Sequence, residues 1–97
     1  MNIKIEEKAK QSLDLMKIKY PKDLPKVINA IKDLKNNWIN VSSIKNIWDW
    51  VYRKRVWRWR ILFSYWNNEI IIWIIKIEKD TKKDYKVWKT YIISRIN

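Results

Sequence analysis

Apolar residues in the first part of the chain recur at helical spacing after a short alternating start. Residues 2–5 alternate between polar and apolar, which predicts a first strand. Glu6 and Glu7 then open a helical pattern, since negative charges favour the first turn of a helix. The apolar positions of this helix are Ala9, Leu13 and Met16. Pro21 ends it, because Tyr20 before the proline avoids the α region.

A second helix is predicted directly after this break. Asp23 has the side chain of an N-cap residue, and Pro25 suits the first turn of a helix. Apolar side chains recur at helical spacing at Leu24, Val27, Ile28, Ile31 and Leu34. Asn36 and Asn37 end the pattern. Two helices joined by a tight connection predict a helical hairpin.

Strands dominate the predicted second half, after a polar loop over residues 40–46. The three predicted strands cover residues 47–53, 56–66 and 70–78. Asn67 and Asn68 predict a two-residue hairpin turn, because asparagine tolerates the positive φ that such turns need. The third strand is apolar on both faces up to Lys76, which is typical of a strand buried inside a sheet.

The C-terminal segment, residues 85–96, is predicted to form a short helix. Its apolar side chains at helical spacing are Trp88, Tyr91, Ile92 and Ile96. The β-branched residues in this stretch leave a further strand open as the alternative. The element order is then βααβββα, an α+β chain that forms a single domain over residues 1–97.

Strict alternation sorts the side chains of residues 57–66 onto two faces of a strand. Odd positions from Trp57 through Tyr65 are apolar or aromatic and are expected to face the core under the helices. Arg58, Arg60 and Ser64 share the other face. Guanidinium groups on a rigid sheet backed by aromatic rings can grip phosphates.

The charge of the chain also indicates a partner that carries phosphate groups. The chain has 97 residues and a formal net charge of +12, from 22 basic and 10 acidic residues. Residues 1–50 contribute +4 (10 basic, 6 acidic) and residues 51–97 contribute +8 (12 basic, 4 acidic), including all five arginines. Arginine binds phosphate in a bidentate manner, so a nucleic-acid partner is predicted. A lysine-rich surface from an AT-rich genome is the alternative, and it explains the lysines better than the arginines.

Missing residue types exclude several functions. The chain has no cysteine, histidine or glycine, which excludes disulfides, thiolate chemistry, the usual zinc sites and glycine-rich phosphate loops. No metal or cofactor is expected. The longest apolar run, residues 70–75, is far shorter than the roughly 20 residues that span a bilayer. Without a recognisable signal peptide, the chain is expected in the cytoplasm with no membrane partner.

The order of several local patterns resembles the RelE/ParE superfamily of bacterial and archaeal toxins along nearly the whole chain. The matching segments are Ile3-Lys4-Ile5, Ala30-Ile31-Lys32-Asp33-Leu34, Ile44-Lys45-Asn46-Ile47, Trp59-Arg60-Ile61-Leu62-Phe63, Glu69-Ile70-Ile71-Ile72 and a basic loop closing on Tyr85. The resemblance implies a RelE-like fold, in which the helical hairpin packs on a small, twisted, mainly antiparallel sheet. It also implies a ribosome-associated, metal-independent endoribonuclease that cleaves messenger RNA.

The same resemblance assigns roles to individual residues. Arg60, Lys79 and Tyr85 are the implied catalytic residues: Arg60 and Lys79 stabilise the transition state, and Tyr85 stacks on a base or transfers a proton. The residues implied to hold the nucleic-acid backbone are Arg53, Arg55, Arg58, Lys82 and Lys83. Two departures stand out, because the family commonly has an arginine at position 79 and a glycine before the aromatic-Arg pair.

Alternatives stay open for function and for individual residues. A non-catalytic nucleic-acid-binding or assembly protein, as a virus or plasmid might retain, and a ParE-like gyrase inhibitor both fit the fold. Tyr85 also suits a helix start, residues 79–86 also suit a solvated basic loop, and Glu78 and Asp84 are alternative general bases. Eight tryptophans exceed the needs of one small core. Some are therefore expected at the surface, in a homodimer, against an antitoxin or stacked on bases.

Overall fold

The computed structural model describes residues 2–37, 44–48, 50–77 and 82–96, and all of their side chains except those of residues 37, 48 and 82–85. The elements are β1 (Asn2–Ile5), α1 (Glu7–Lys19), α2 (Leu24–Asn37), β2 (Ile44–Trp48), β3 (Val51–Val56), β4 (Trp59–Trp66), β5 (Glu69–Ile77) and α3 (Lys82–Ile96). The predicted α+β class, with a helical hairpin, a mainly antiparallel sheet and a C-terminal helix, is confirmed.

The described strands form one sheet in the order β1-β5-β4-β3-β2. β1 runs parallel to β5, and the other neighbouring pairs are antiparallel. β5 therefore lies inside the sheet, between β1 and β4. Its side chains at Ile70 and from Ile72 to Ile75 are buried, as its apolar run predicts.

The sheet has one strand more than the sequence pattern predicts. Residues 44–46, expected in a loop, belong to β2, and the predicted strand 47–53 is divided between β2 and β3. The predicted strand 56–66 is interrupted by a turn at Trp57 and Arg58. Trp57 takes a φ of 57°, a conformation that costs a non-glycine residue about 1 kcal/mol. Because tryptophan favours strands, this turn carries no sequence signal.

Other predicted breaks in the chain are confirmed. α1 ends at Lys19, directly before Tyr20 and the proline that follows it. Asn67 and Asn68 connect β4 and β5 with φ values of 52° and 59°. Positive φ at both central residues is the geometry of a type I′ hairpin turn.

Two apolar clusters occupy the two faces of the sheet. The hairpin face packs against α1 and α2 and includes Trp59, Ile61 and Phe63 from β4. The α3 face joins Leu62 of β4 to Trp88 and Ile92 of α3. The C-terminal segment is thus a helix, and the strand alternative is wrong. Of the odd positions in 57–65, Trp59 onward face the hairpin, but Trp57 is 70% exposed.

A β-bulge in β5 changes the register halfway along the sheet. Phe63 pairs with Ile72, whereas Leu62, the residue before it in β4, pairs with Ile74. Trp73 is the extra residue, and it packs with Ile74 on the α3 face. Its indole Nε1 donates a 2.8 Å hydrogen bond to the buried hydroxyl of Ser64. The bulge is therefore held by a satisfied buried polar contact.

Candidate nucleic-acid interface

Basic side chains occupy neighbouring positions at one end of the α3 face. Arg60 of β4 pairs with Arg55 of β3 on one side and with Lys76 of β5 on the other. Arg53 pairs with Lys45 of β2 and belongs to the same face, because it also lies opposite Leu62. Directly opposed residues have Cβ atoms about 5 Å apart. These five cations form one continuous patch, called the basic surface below.

The basic surface combines fixed and solvent-facing cations. Arg53 and Arg60 are half-buried, whereas Lys45, Arg55 and Lys76 are exposed. Nε of Arg53 is buried, and no described residue accepts a hydrogen bond from it. The patch therefore combines two half-buried guanidinium groups with three exposed cations.

Lys76 also connects the basic surface to α3. Its Nζ lies 5.4 Å from the ring centroid of Trp88, within the range of a cation–π contact. At the other end of α3, Arg95 pairs with Glu6 at 3.4 Å. These contacts set the direction of α3, so that its N-terminal end lies on the side of Lys76.

In the part of the chain that the structure describes, most acidic side chains belong to the helical hairpin rather than to the strands that carry the basic surface. Five of them lie between Glu6 and Asp33, in α1, α2 and their connections, and the sixth is Glu69. Glu69 begins β5, and at about 3.3 Å per residue its seven-residue separation from Lys76 corresponds to roughly 23 Å. The basic surface thus lies on the sheet face opposite the helical hairpin, and the hairpin and its connections carry five of the six described carboxylates.

Arg58 is directed away from the basic surface. Its Nε and Nη2 donate to Oδ2 of Asp23 at 3.1 and 2.9 Å, and Nε1 of Trp59 donates to the same oxygen at 2.9 Å. These bonds, that of Trp59 first, lower the pKa of Asp23 below its usual 3.8. The prediction that Arg58 shares a face with Arg60 is wrong, because the turn at position 57 releases it from the strand.

The same turn is fixed to the connection between α1 and α2. Arg58 lies 4.9 Å from the ring centroid of Tyr20, and Nζ of Lys26 lies 3.0 Å from that of Trp57. Together with the Asp23 carboxylate, these contacts hold the tip of the β3–β4 hairpin. Since Arg55 and Arg60 form the second residue pair from that tip, these contacts help to position two members of the basic surface.

The other sequence-predicted site residues belong to the segment that follows β5. Lys79 lies outside the described residues, and Tyr85, Lys82 and Lys83 belong to α3 with side chains outside the described set. Four residues lie between Ile77 and Lys82, so five Cα-to-Cα steps, which span at most about 17 Å, connect them. Connectivity therefore keeps the start of α3 near the Lys76 end of the sheet.

Two members of the basic surface were missed by the sequence reasoning, namely Lys45 and Lys76. The hairpin turn alone predicts Ile75 opposite Arg60, since Trp66 pairs with Glu69 without a shift. The bulge at Trp73 moves Lys76 into that place. Lys45 lies in β2, which the sequence predicted as a loop. In both cases the sequence did not show how the strands pair, and therefore which residues lie opposite each other.

Within the described ranges, no three acidic side chains converge in a way that could hold a metal ion. Nor is any helix of those ranges long and apolar enough to cross a membrane. Of the tryptophans with described side chains, Trp66 is 72% exposed and Trp57 is 70% exposed, whereas Trp59, Trp73 and Trp88 are buried. The expectation that some tryptophans stay at the surface is confirmed.

Solved structures with the same arrangement of strands and helices include toxins. The YoeB–YefM complex from Staphylococcus aureus matches with a TM-score of 0.67 and 17% identity, over 80% of this chain and 97% of that one. The YoeB dimer from the same organism matches with a TM-score of 0.66 and 18% identity over the same shares. The chain has the YoeB fold. Neither a family model nor a curated protein sequence matches it.

The YoeB fold confirms the RelE/ParE resemblance at the level of architecture. One matching structure is a heterotetrameric YoeB–YefM toxin–antitoxin complex, and another is a dimer of YoeB. Nearly all of each matched toxin chain is covered. The basic surface is thus carried on the complete YoeB-like scaffold.

Proposed function

We propose that this chain is a RelE-like toxin that acts as a metal-independent, ribosome-associated endoribonuclease on messenger RNA. The observation that carries the proposal is the position of Arg60, which lies between Arg55 and Lys76 in one cross-strand row. Three adjacent cations match the needs of a phosphodiester that gains negative charge in its transition state. The YoeB fold supports a toxin as the protein class.

The proposed reaction begins with the ribose 2′-hydroxyl on the 5′ side of the scissile phosphate. Its oxygen forms a bond to phosphorus as its proton passes to a general base, and the bond from phosphorus to the 5′-oxygen breaks. The leaving oxygen takes up a proton, which leaves a 2′,3′-cyclic phosphate and a 5′-hydroxyl. Arg60 would stabilise the charged intermediate, and Arg55 and Arg53 would hold the flanking backbone.

Proton transfer in this scheme is assigned to the segment after β5. Tyr85 is the proposed acid or base, with Glu78 and Asp84 as alternatives, and Lys79 is the proposed second stabilising cation. Lys82 and Lys83, at the start of α3, are proposed to contact the RNA backbone. The direction of α3, which begins on the side of Lys76, supports this assignment.

Arg60→Ala tests the catalytic assignment, with Lys32→Ala as the control. Lys32 is an exposed residue of α2, which packs on the opposite face of the sheet, so its loss removes one positive charge away from the basic surface. Each variant is induced in cells under tight repression, and new 5′ ends on messenger RNA are mapped. We expect codon-periodic cuts with the wild type and Lys32→Ala and none with Arg60→Ala. Cleavage at wild-type rates by Arg60→Ala would refute the assignment.

A non-catalytic nucleic-acid-binding protein is the second candidate. Lysine at position 79 favours it, because a point charge replaces the bidentate arginine that the family commonly has there. It predicts salt-dependent binding to DNA and RNA alike, without cleavage on ribosomes.

A protein antitoxin is part of the leading proposal. YoeB was crystallised with YefM, and this chain carries the same fold with a strongly basic face. An acidic partner segment would complement that charge. Co-expression with such a partner is expected to restore growth in cells that the free toxin arrests.

A further inference from the structure

An exposed aromatic ring lies at the tip of the β3–β4 hairpin, beside the basic surface. Trp57 is 70% exposed, and its φ of 57° is unfavourable for a tryptophan. After β4, Asn67 and Asn68 meet the same need for positive φ with a side chain that tolerates it. Neither core packing nor backbone preference therefore accounts for a tryptophan at position 57. A side chain kept in such a conformation indicates a function of its own.

The ring of Trp57 is held in a fixed place. Nζ of Lys26, a half-buried residue of α2, lies 3.0 Å from the ring centroid, over one face of the indole. The next residue in the turn, Arg58, is ion-paired with Asp23 at 2.9 Å. Both residues of the turn are thus attached to the N-terminal end of α2. A ring that is positioned in advance loses little freedom when a flat ligand stacks on it.

The ring also lies close to the row of cations that contains Arg60. Arg55 is exposed and pairs with Arg60 across the hairpin, and Trp57 follows Arg55 by two positions. The Cα atoms of Arg55 and Trp57 are therefore at most about 7 Å apart, a distance that one extended nucleotide spans. The turn is the end of this hairpin, so only its two residues separate the basic surface from the ring. A single strand that leaves Arg55 toward the tip reaches Trp57.

The surroundings of the ring favour a ligand that combines a flat ring with negative charge. Lys26 and Arg55 supply positive charge on the two sides of the tip, and the nearby carboxylate of Asp23 is already paired with Arg58. Unpaired nucleotides meet both requirements, because each base has a π face and each phosphate carries a charge. An apolar side chain of a protein would use the ring but not the cations.

We infer that Trp57 stacks on an unpaired base of the strand that the basic surface holds, at the nucleotide beside the phosphate on Arg55. Contacts to phosphate do not distinguish the bases, whereas a stacked base contributes affinity through its ring. The stack also fixes the strand along its length, so that a neighbouring phosphate meets Arg60. Purines present a larger ring than pyrimidines and are therefore favoured. The inference rests on the proposed function for RNA as the ligand, and not on cleavage of that RNA.

The test compares three labelled twelve-nucleotide strands by fluorescence anisotropy with the whole chain. They are oligoadenylate, oligouridylate and a strand without bases, all lacking the free 2′-hydroxyl that cleavage requires. The three strands carry the same number of phosphates, so differences in affinity measure the contribution of the bases. We expect the wild type to bind oligoadenylate more tightly than oligouridylate, and both more tightly than the abasic strand.

Trp57→Asn removes the ring and places at position 57 a residue that tolerates positive φ. Its Tm should therefore stay close to that of the wild type. We expect this variant to bind oligoadenylate about fivefold or more weakly, and the abasic strand with less than about a twofold change. Trp57→Phe, which keeps an aromatic ring, should retain most of the preference for bases.

Trp66→Asn is the matched control. Trp66 is 72% exposed and ends β4 at the opposite end of the strand, where it pairs with Glu69. The ends of β4 are roughly 24 Å apart. The same substitution there removes an equally exposed indole away from the cations, and it should leave the affinity for all three strands unchanged.

Four results would overturn the inference. They are equal weakening of oligoadenylate and abasic binding by Trp57→Asn, equal effects of Trp57→Asn and Trp66→Asn, loss of the base preference in Trp57→Phe, and a wild-type dimer in sedimentation that Trp57→Asn converts to a monomer. The last would assign the ring to a protein interface.

Failure of this inference is distinguishable from failure of the proposed ribonuclease. If Trp57→Asn keeps the preference for bases while Arg60→Ala abolishes cleavage of messenger RNA, the stacking role is wrong and the ribonuclease stands. If the wild type cuts no messenger RNA while its preference for bases depends on Trp57, the stacking role stands and the ribonuclease is wrong.

Discussion

Salt dependence of RNA binding measures how many cations of the basic surface contact phosphates. If all five members bind, they contribute about −0.7 × 5, or roughly −3.5, to the slope of log K against log salt for a single strand, and contacts of Lys79, Lys82 and Lys83 would add to it. Raising the salt from 50 to 200 mM would then weaken binding about 130-fold through the five members alone. The prediction depends on the cross-strand register, because the register places Lys45 and Lys76 beside the arginines.

Lys45→Gln is the perturbation, and Lys32→Gln is its control. Both lysines are exposed, but Lys45 belongs to the basic surface and Lys32 lies on α2, which packs on the opposite face of the sheet. Removing one contact makes the slope shallower by about 0.7, which reduces the effect of the same salt step about 2.6-fold. The double variant Lys45→Gln/Arg55→Gln should make it shallower by about 1.4.

The assay is fluorescence anisotropy of a labelled twelve-nucleotide single-stranded RNA, titrated at four or more salt concentrations. Lys32→Gln should keep the wild-type slope. If Lys32→Gln and Lys45→Gln lower it equally, binding follows the net charge of +12 rather than the basic surface. A wild-type slope shallower than about −2 would refute the participation of all five cations.

Two further predictions concern the contacts that support this surface. Ser64→Ala leaves the buried Nε1 of Trp73 without its hydrogen-bond acceptor. The loss lowers the free energy of unfolding by about 1–3 kcal/mol. Each kcal/mol lowers Tm by about 4–8 °C in a domain of this size. The exposed control Ser94→Ala should change Tm little, and equal Tm values for the two variants would contradict the bulge assignment. Because the pKa of Asp23 is lower in the folded state than in the unfolded chain, its contribution to stability is complete above the unfolded value near 3.8 and is lost as pH falls through the folded value. Asp23→Asn should therefore lower Tm at pH 7 and make Tm fall less steeply below about pH 4. Circular dichroism of both proteins follows Tm against pH. If the two curves of Tm against pH run parallel, the carboxylate does not hold Arg58 and Trp59.

Local patterns in the sequence determined the elements and much of the architecture. Helical spacing predicted α1, α2 and α3, and the Tyr20-Pro21 and Asn67-Asn68 signals predicted the breaks that are observed. These features depend on neighbouring residues and on intrinsic backbone preferences, which a sequence displays directly. The element order together with several local patterns resembled the RelE/ParE superfamily, and this resemblance indicated the fold that YoeB shares.

The sequence also indicated part of the candidate site. Alternation placed Arg60 on the face away from the hairpin, and Arg53 and Arg55 were expected beside it as phosphate-binding residues. The expected roles of Lys79, Tyr85, Lys82 and Lys83 stay predictions. The expected position of Arg58 beside Arg60 was wrong. The turn at Trp57 and Arg58 contains no glycine or asparagine that would indicate it in the sequence. The carboxylate that binds Arg58 belongs to Asp23, which lies 35 positions away in the chain.

Only the tertiary structure decided which cations stand together. One extra residue at Trp73 brings Lys76 rather than Ile75 opposite Arg60, and pairing of β2 with β3 adds Lys45 to the row. Strand register and bulges depend on how strands that are distant in the chain pack their side chains against α3 and the hairpin. This packing leaves no local pattern in the sequence. The types of residue available for phosphate binding are therefore readable from the chain, whereas their juxtaposition follows from the packing of the sheet.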